Sequence, residues 1–195
     1  MTKFLRKNRD GGPEVAEKLV REPWDVSSPE IKAIDPDAVA AAFIRRLEII
    51  QQRGKKIALI REAASQDAAW VTQAMLGLLA EASEEIRDLA VRELIRRDDW
   101  KTSELYARLD HPPWYAKSAC LRLLGLKKDT GAVRHIRTVL DDPNSDVKRA
   151  AAWTLGEIGG PEARSLLVRL SRDANRYVRQ AAEEAIERVC DFKFC

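Results

Sequence analysis

Few side chains in this sequence have the type and spacing that catalysis or metal binding requires. The chain has two histidines, His111 and His135, and neither belongs to a repeated His-Glu pair or a defensible Ser/His/Asp arrangement. The run GEIGGP at residues 156–161 is explained by a helix stop, so it does not indicate a phosphate-binding loop. Cys190 and Cys195 lack histidine partners and are weak support for a metal site, although they have the spacing to pair or oxidise. We therefore predict no catalytic residue, no metal and no cofactor.

The remaining candidates suit binding rather than catalysis. Tryptophan and arginine are the side chains that most often carry the binding energy of protein interfaces. One such set combines a tryptophan, three arginines and two aliphatic residues, namely Val91, Arg92, Leu121, Arg122, Arg149 and Trp153. These residues meet on one surface only if the chain repeats with a period near their spacing of about 30 residues.

The chain does repeat with this period. The stretch from Asp141 to Gly160, DDPNSDVKRAAAWTLGEIGG, recurs 31 residues later, 31 residues earlier and a further 30 residues earlier. The aligned positions include Val147 with Val178, Lys148 with Lys117, Ala151 with Ala182, and Leu155 with Leu124 and Leu94. Four copies at a nearly constant period indicate a solenoid, in which each unit packs only on its neighbours.

Each copy reads as two helices, so the predicted fold is an all-α solenoid of about five helical hairpins. We expect an irregular N-terminal arm over residues 1–35, a repeat domain over 36–190 and a short tail over 191–195. Prolines punctuate the arm, and its Trp24 and Ile31 are expected to dock on the first helices. The first hairpin is broken at Gly54, and the others are 67–80 with 83–97, 100–109 with 113–126, 130–141 with 145–158, and 161–172 with 176–190.

The repeat resembles HEAT-like repeats of the phycobilin-lyase type. The resemblance rests on a D-x5-V-[RK]-x2-AA-x3-L pattern, seen from Asp142 to Leu155 and from Asp173 to Ile186. It implies a curved superhelix, but it does not imply one activity, because such repeats serve many proteins.

An acidic residue precedes a basic one by six positions in most copies. The pairs are Glu81/Arg87, Asp142/Lys148 and Asp173/Arg179, with His111 before Lys117 as the departure. We expect the acid to lie in the turn and cap the second helix, and the base to reach across the repeat boundary, so that the charges form a ladder.

In solenoids that resemble this one, the second helices line the concave surface. A helical period of about 100° per residue places Val91, Leu121 and Trp153 on the outward face of these helices. Together with Ile95 they would form an exposed apolar strip, edged by Arg92, Arg122 and Arg149 and closed by an acidic cap of Glu183, Glu184 and Glu187. Soluble proteins rarely expose such strips without a partner. We therefore predict a non-catalytic interaction module that binds a protein or peptide, and the arginines allow an acidic partner.

Other interpretations remain open. Neighbouring helices or the N-terminal arm would cover Trp153 if the strip is only part of the packing. A second function class is an accessory or catalytic protein acting on a bilin or other cofactor, or on DNA. DNA glycosylases for alkylated purines with a HEAT-like build use Trp, Arg and Asp in a concave cleft, and a comparable set here is Trp114, Trp153, Arg122, Arg149 and Asp110. HEAT-like iron hydroxylases such as deoxyhypusine hydroxylase need more histidine ligands than this chain has.

Charge and composition favour the first interpretation. Residues 1–10 hold four of the 34 basic residues and one of the 31 acidic ones, so the rest of the chain has 30 of each. The zero net charge of residues 11–195 argues against a nucleic-acid-binding surface, because such a surface depends on an excess of Lys and Arg. The sequence shows no signal peptide and no apolar run near 18 residues, and three cysteines suggest a reducing compartment, so we expect a cytoplasmic protein. Cys120 is expected to be a small buried residue.

Overall fold

A computed structural model describes residues 35–111 and 113–191, the side chains of 190 and 191 excepted. The predicted arm, with Trp24 and Ile31, and the possible pairing of Cys190 with Cys195 lie outside the described residues. No described helix is both long enough and apolar enough to cross a membrane.

All regular secondary structure in the described residues is helical. Its α-helices are α1 Pro36–Ile49, α2 Arg53–Ala64, α3 Ala69–Leu78, α4 Glu84–Arg96, α5 Trp114–Leu126, α6 Val133–Ile136, α7 Ser145–Ile158, α8 Gly160–Leu170 and α9 Arg176–Asp191. Three 3₁₀ segments complete it: Thr102–Leu109, Thr130–Ala132 and Arg137–Asp141. These elements form successive hairpins, which confirms the predicted all-α solenoid.

The first elements of the third and fourth hairpins differ from the predicted α-helices. The third is a 3₁₀ segment, and the fourth is one turn of α-helix, α6, between two 3₁₀ segments. Short segments gain little from helical cooperativity, so tertiary burial sets their geometry. Leu105 and Ile136 are fully buried in these segments, which shows that the tighter winding still places the repeated apolar residues in the core.

The repeated apolar positions form one continuous core. In the repeat register, Met75, Leu105, Ile136 and Leu167 occupy the same position of the first elements, and all four are completely buried. The small residues of the second helices are also fully buried, at Ala90, Cys120, Ala151 and Ala182. Burial raises the pKa of the Cys120 thiol to about 12, so this side chain is the small buried residue that the sequence predicted.

Two glycine predictions have different outcomes. The stop at Gly159 is confirmed: its φ is 71°, its N–H donates to the Leu155 carbonyl at 2.9 Å, and Pro161 follows in the first turn of α8. The predicted break at Gly54 is wrong, because Gly54 lies inside α2 and the break falls at residues 50–52. Gly54 faces open space, so packing does not require a glycine there.

The predicted ladder of charges is present at two repeat boundaries. Lys117 Nζ lies 2.8 Å from Asp142 Oδ2, and Lys148 Nζ lies 2.7 Å from Asp173 Oδ2. Each pair joins a second helix to the turn between the two helices of the next repeat, and the side chains of both pairs are largely buried. The acids bind the turn backbone, whereas the side chains of the neighbouring Asn144 and Asn175 cap α7 and α9.

Candidate protein-binding groove

A groove of about 660 Å³ runs across the second helices of four successive hairpins. Because α4, α5, α7 and α9 stack side by side, residues one repeat apart become neighbours along it. The lining residues combine aromatic, small and charged side chains: Glu84, Arg87, Asp88, Val91, Trp114, Tyr115, Ser118, Ala119, Arg122, Asp146, Arg149, Ala150, Trp153, Ala181, Glu184 and Arg188.

Four of the six predicted binding residues line this groove. Arg122 and Arg149 are exposed, Trp153 is half-buried, and Val91 lies at the bottom of the groove. Arg92 is exposed but does not line the groove, and Leu121 is sealed in the core. The acidic cap is present on α9, where Glu183, Glu184 and Glu187 are exposed.

The predicted exposed apolar strip is wrong at two positions. Val91 is 2% exposed and Leu121 is completely buried, as is Ala152 at the equivalent place on α7. A second helix inside a solenoid is covered by its own hairpin partner and by the second helix on either side. Its solvent-exposed face is therefore narrower than a helical wheel of one hairpin indicates.

Glycines allow α5, α7 and α9 to approach closely. A Cβ at Gly125 would lie 2.8 Å from the Trp153 ring and 3.2 Å from the Thr154 Cα. A Cβ at Gly156 would lie 2.9 Å from the Ala185 Cβ. Both glycines are helix–helix contacts, and the lack of a side chain at Gly125 allows the Trp153 indole to lie across α5.

The contact between α4 and α5 is sparser than the contacts of α7 with α5 and α9. Ile95 occupies on α4 the position that Gly125 and Gly156 occupy on α5 and α7. A branched side chain at this position does not allow the close approach that glycine does. The groove is therefore bounded on one side by a looser junction.

The charges of the groove balance. Four arginines, Arg87, Arg122, Arg149 and Arg188, face four acids, Glu84, Asp88, Asp146 and Glu184. Arg122 pairs with Asp88 of the neighbouring helix at 2.6 Å, and Arg149 pairs with Asp146 of its own helix at 3.0 Å. Each of these two pairs uses one N–H of a guanidinium group that carries five, so further acceptors can bind.

Two aromatic residues at the start of α5 were missed as groove residues in the interaction hypothesis. Trp114 is 45% exposed, and its ring packs edge-on against Tyr115 with centroids 5.7 Å apart. The Arg87 guanidinium lies 4.8 Å from the centre of the Tyr115 ring. The signal was available in the sequence, because two aromatic residues follow Pro113 in the first turn of a second helix, where the equivalent pairs of the other repeats contain at most one aromatic residue, Tyr177.

The structure brings together only part of the residue set that was compared with DNA glycosylases. Trp114, Trp153, Arg122 and Arg149 share the groove, whereas Asp110 lies in the turn before α5 and accepts a hydrogen bond from Thr138 at 3.1 Å. Asp110 does not line the groove.

The histidines do not form a reactive centre in the described part of the chain. His135 stacks on Tyr106 with ring centroids 4.1 Å apart, and its Nε2 accepts from the Arg134 side chain. The described residues contain no cluster of His, Cys, Asp and Glu arranged to hold a metal ion. The groove therefore offers aromatic surface and arginine donors rather than a nucleophile with a base.

The comparison with family models agrees with the repeat architecture. Residues 102–187 match the family model for HEAT repeats. No match is found among curated proteins. One similar solved structure is a designed armadillo repeat protein in complex with the peptide (KR)4, with 18% identity, a TM-score of 0.49 and coverage of 93% of this chain and 95% of that one. Residues 102–187, which span the third to fifth hairpins, are therefore similar to HEAT repeats.

Proposed function

We propose that the chain is a non-catalytic interaction module and that the groove across α4, α5, α7 and α9 binds a segment of a partner protein. HEAT-like repeats generally mediate protein–protein interaction. The observation that carries the proposal is that Arg122, Arg149 and Trp153, contributed by successive second helices, line one groove together with Trp114.

The aromatic side chains supply the apolar part of the proposed binding energy. Trp114 is 45% exposed and Trp153 is half-buried, so a partner can remove further indole surface from water. Burying an apolar side chain contributes about 1.5–3 kcal/mol, and aromatic residues flanked by arginine are typical of interface hot spots. The rigid stack holds both rings in place before binding, which reduces the entropy lost on association.

The arginines supply orientation and selectivity. Arg122 and Arg149 have N–H donors beyond the one that each gives to Asp88 or Asp146. A carboxylate on the partner can accept two of these donors in the bidentate geometry that guanidinium favours. We therefore propose a partner segment that places an acidic side chain next to an apolar or aromatic one.

DNA binding is the second candidate, because two tryptophans and two arginines share the groove. Against it, the four lining arginines are balanced by four lining acids, and phosphate binding depends on a surplus of positive charge. Titration of labelled duplex DNA at low and high salt tests this candidate: a steep loss of affinity with salt supports it, and no binding at low salt rejects it. No groove residue favours a bilin specifically.

We also propose a cytoplasmic location. Cys120 is a free, buried thiol, as expected for a protein from a reducing compartment. Imaging the tagged full chain in cells tests the location directly.

Affinity capture with matched variants tests the proposed function. Trp153→Ala and Arg122→Ala should each release the captured partner while the helical circular dichroism stays unchanged. Arg92→Ala is the matched arginine control, since Arg92 is exposed on a second helix but lies outside the groove. Tyr177→Ala is the aromatic control, since Tyr177 is 52% exposed and also lies outside it. Equal capture by groove variants and controls would refute the proposal.

A further inference from the structure

The junction between α4 and α5 differs from the α5/α7 and α7/α9 junctions at the glycine, lysine and aspartate positions that help to hold those two together. We propose that this junction is a hinge, about whose C-terminal end α4 pivots, and that the Asp88–Arg122 ion pair is a latch that sets the width of the groove. This motion would be a property of the chain alone and would not depend on a bound partner.

The ladder of buried charges is missing at this junction. In the repeat register Arg87 stands where Lys117 and Lys148 stand, and His111 stands where Asp142 and Asp173 stand. Arg87 donates to the carbonyls of Glu81 and Ala82, at 2.8 and 2.7 Å, so its hydrogen bonds go to its own turn and not to an acidic side chain of the next repeat. The N-terminal half of α4 therefore has no counterpart of the Lys–Asp pairs.

The C-terminal end of α4 is held firmly. Lys127 of the α5 hairpin donates to the carbonyls of Ile95 and Arg97, at 3.0 and 3.2 Å, and its ammonium lies 5.7 Å from the centre of the Trp100 ring. The Trp100 indole in turn donates to the Leu94 carbonyl at 2.9 Å. Cations near helix C-termini are favourable, so these contacts define a pivot.

The opposite end is held by contacts that solvent can weaken. Arg122 NH1 lies 2.6 Å from Asp88 Oδ1, and the two side chains are 53% and 35% exposed. Salt screens an exposed pair, whereas the largely buried Lys117–Asp142 and Lys148–Asp173 pairs are screened much less. An exposed pair of this kind shifts a two-state equilibrium by up to about fivefold, which is enough to bias a hinge without locking it. The Arg87–Tyr115 contact is a second link across the same gap.

Ile95 stands at this junction where the two tight junctions have a glycine. The glycines at the equivalent positions of α5 and α7 allow the next second helix to pack against the backbone. At α4 this position holds an isoleucine that is 36% exposed, and its branched side chain does not allow the same close approach. A helix that is fixed at one end and makes only sparse contact with its neighbour has the geometry of a hinge.

Distance distributions from pulsed electron–electron resonance test this proposal. Spin labels on p-acetylphenylalanine at Glu84 and Glu184 span the groove from α4 to α9 and leave the native cysteines untouched. The matched control pair is Trp114 and Glu184, because Trp114 is the residue of α5 equivalent to Glu84. Both pairs are measured from about 0.05 to about 1 M salt, over which the Debye length falls to about 3 Å.

The hinge predicts that high salt, or Arg122→Gln at low salt, broadens and lengthens the Glu84–Glu184 distribution and leaves the Trp114–Glu184 distribution unchanged. Arg87→Lys with His111→Asp supplies a Lys–Asp pair of the type found at the other junctions and should narrow the Glu84–Glu184 distribution at every salt concentration. A Glu84–Glu184 distribution as narrow and salt-insensitive as the control would overturn the proposal. Equal broadening of both pairs would overturn it as well, since the motion would not be confined to α4.

Discussion

The α4/α5 junction and the α5/α7 and α7/α9 junctions are built from the same repeat, yet they are held together differently. At the tight junctions a glycine allows close helix contact and a largely buried lysine–aspartate pair crosses the boundary. At the loose junction these places are taken by Ile95, Arg87 and His111, and the helices meet through an exposed ion pair. Two or three side chains per repeat therefore decide whether neighbouring hairpins form a rigid block or a movable edge.

The largest difference between the junctions should appear when each loses its cation. Lys148→Met leaves the Asp173 carboxylate, whose side chain is 12% exposed, without its partner, and should lower the free energy of unfolding by about 3 kcal/mol. Arg122→Met removes a pair open to water and should cost about 0.5 kcal/mol. Urea unfolding measures both values, and similar losses would contradict the distinction between the junctions.

Adding a methyl group to a contact glycine should have the next largest effect. Gly125→Ala places a Cβ 2.8 Å from the Trp153 ring and 3.2 Å from the Thr154 backbone, and should destabilise the protein by about 2 kcal/mol. The matched control is Gly54→Ala, because Gly54 is helical and faces open space, and it should stabilise by about 0.5 kcal/mol. Thermal and urea unfolding of the two variants should thus change in opposite directions.

Low pH should weaken the tight junction between α7 and α9, where Asp173 pairs with Lys148. Burial alone would raise the pKa of Asp173, but the hydrogen bonds from Lys148 Nζ and the Asn175 N–H, with the charges of Lys148 and Arg179, lower it overall. A lowered native pKa stabilises the fold above the unfolded value of about 3.9, and this contribution is lost as pH falls through the native pKa. The stability difference between the wild type and Asp173→Asn should therefore be larger at pH 7 than at pH 3. A difference independent of pH would contradict the assignment.

The smallest expected effect is a gain at the loose junction. Combining Arg87→Lys with His111→Asp should raise the free energy of unfolding by about 0.5 kcal/mol if the new pair reaches across the boundary. Either single variant lacks one partner, so neither should produce this gain. A double-mutant cycle from urea unfolding isolates the coupling.

The sequence predicted the hairpins, the buried slots and the charge ladder because each depends on residues that recur at a fixed period. Leu155 and Lys148 have equivalents one repeat away, so their surroundings can be inferred from the pattern. The burial of Val91 and Leu121 was not predicted, because a helical wheel shows the hairpin partner but not the second helices on either side. The same limitation concealed the contact role of Gly125. The 3₁₀ winding of Thr102–Leu109 has no periodic signal, since tertiary packing determines it.

Site-specific photo-cross-linking in cells tests the central claim, that the groove is the docking surface, most directly. Benzoylphenylalanine at Ser118, inside the groove, should form a defined cross-link to a partner protein, and Arg122→Ala in the same chain should remove it. The same probe at Arg164, exposed on the first helix α8, should form no cross-link to that partner. A partner that cross-links from Arg164 and not from Ser118 would show that binding uses a different surface.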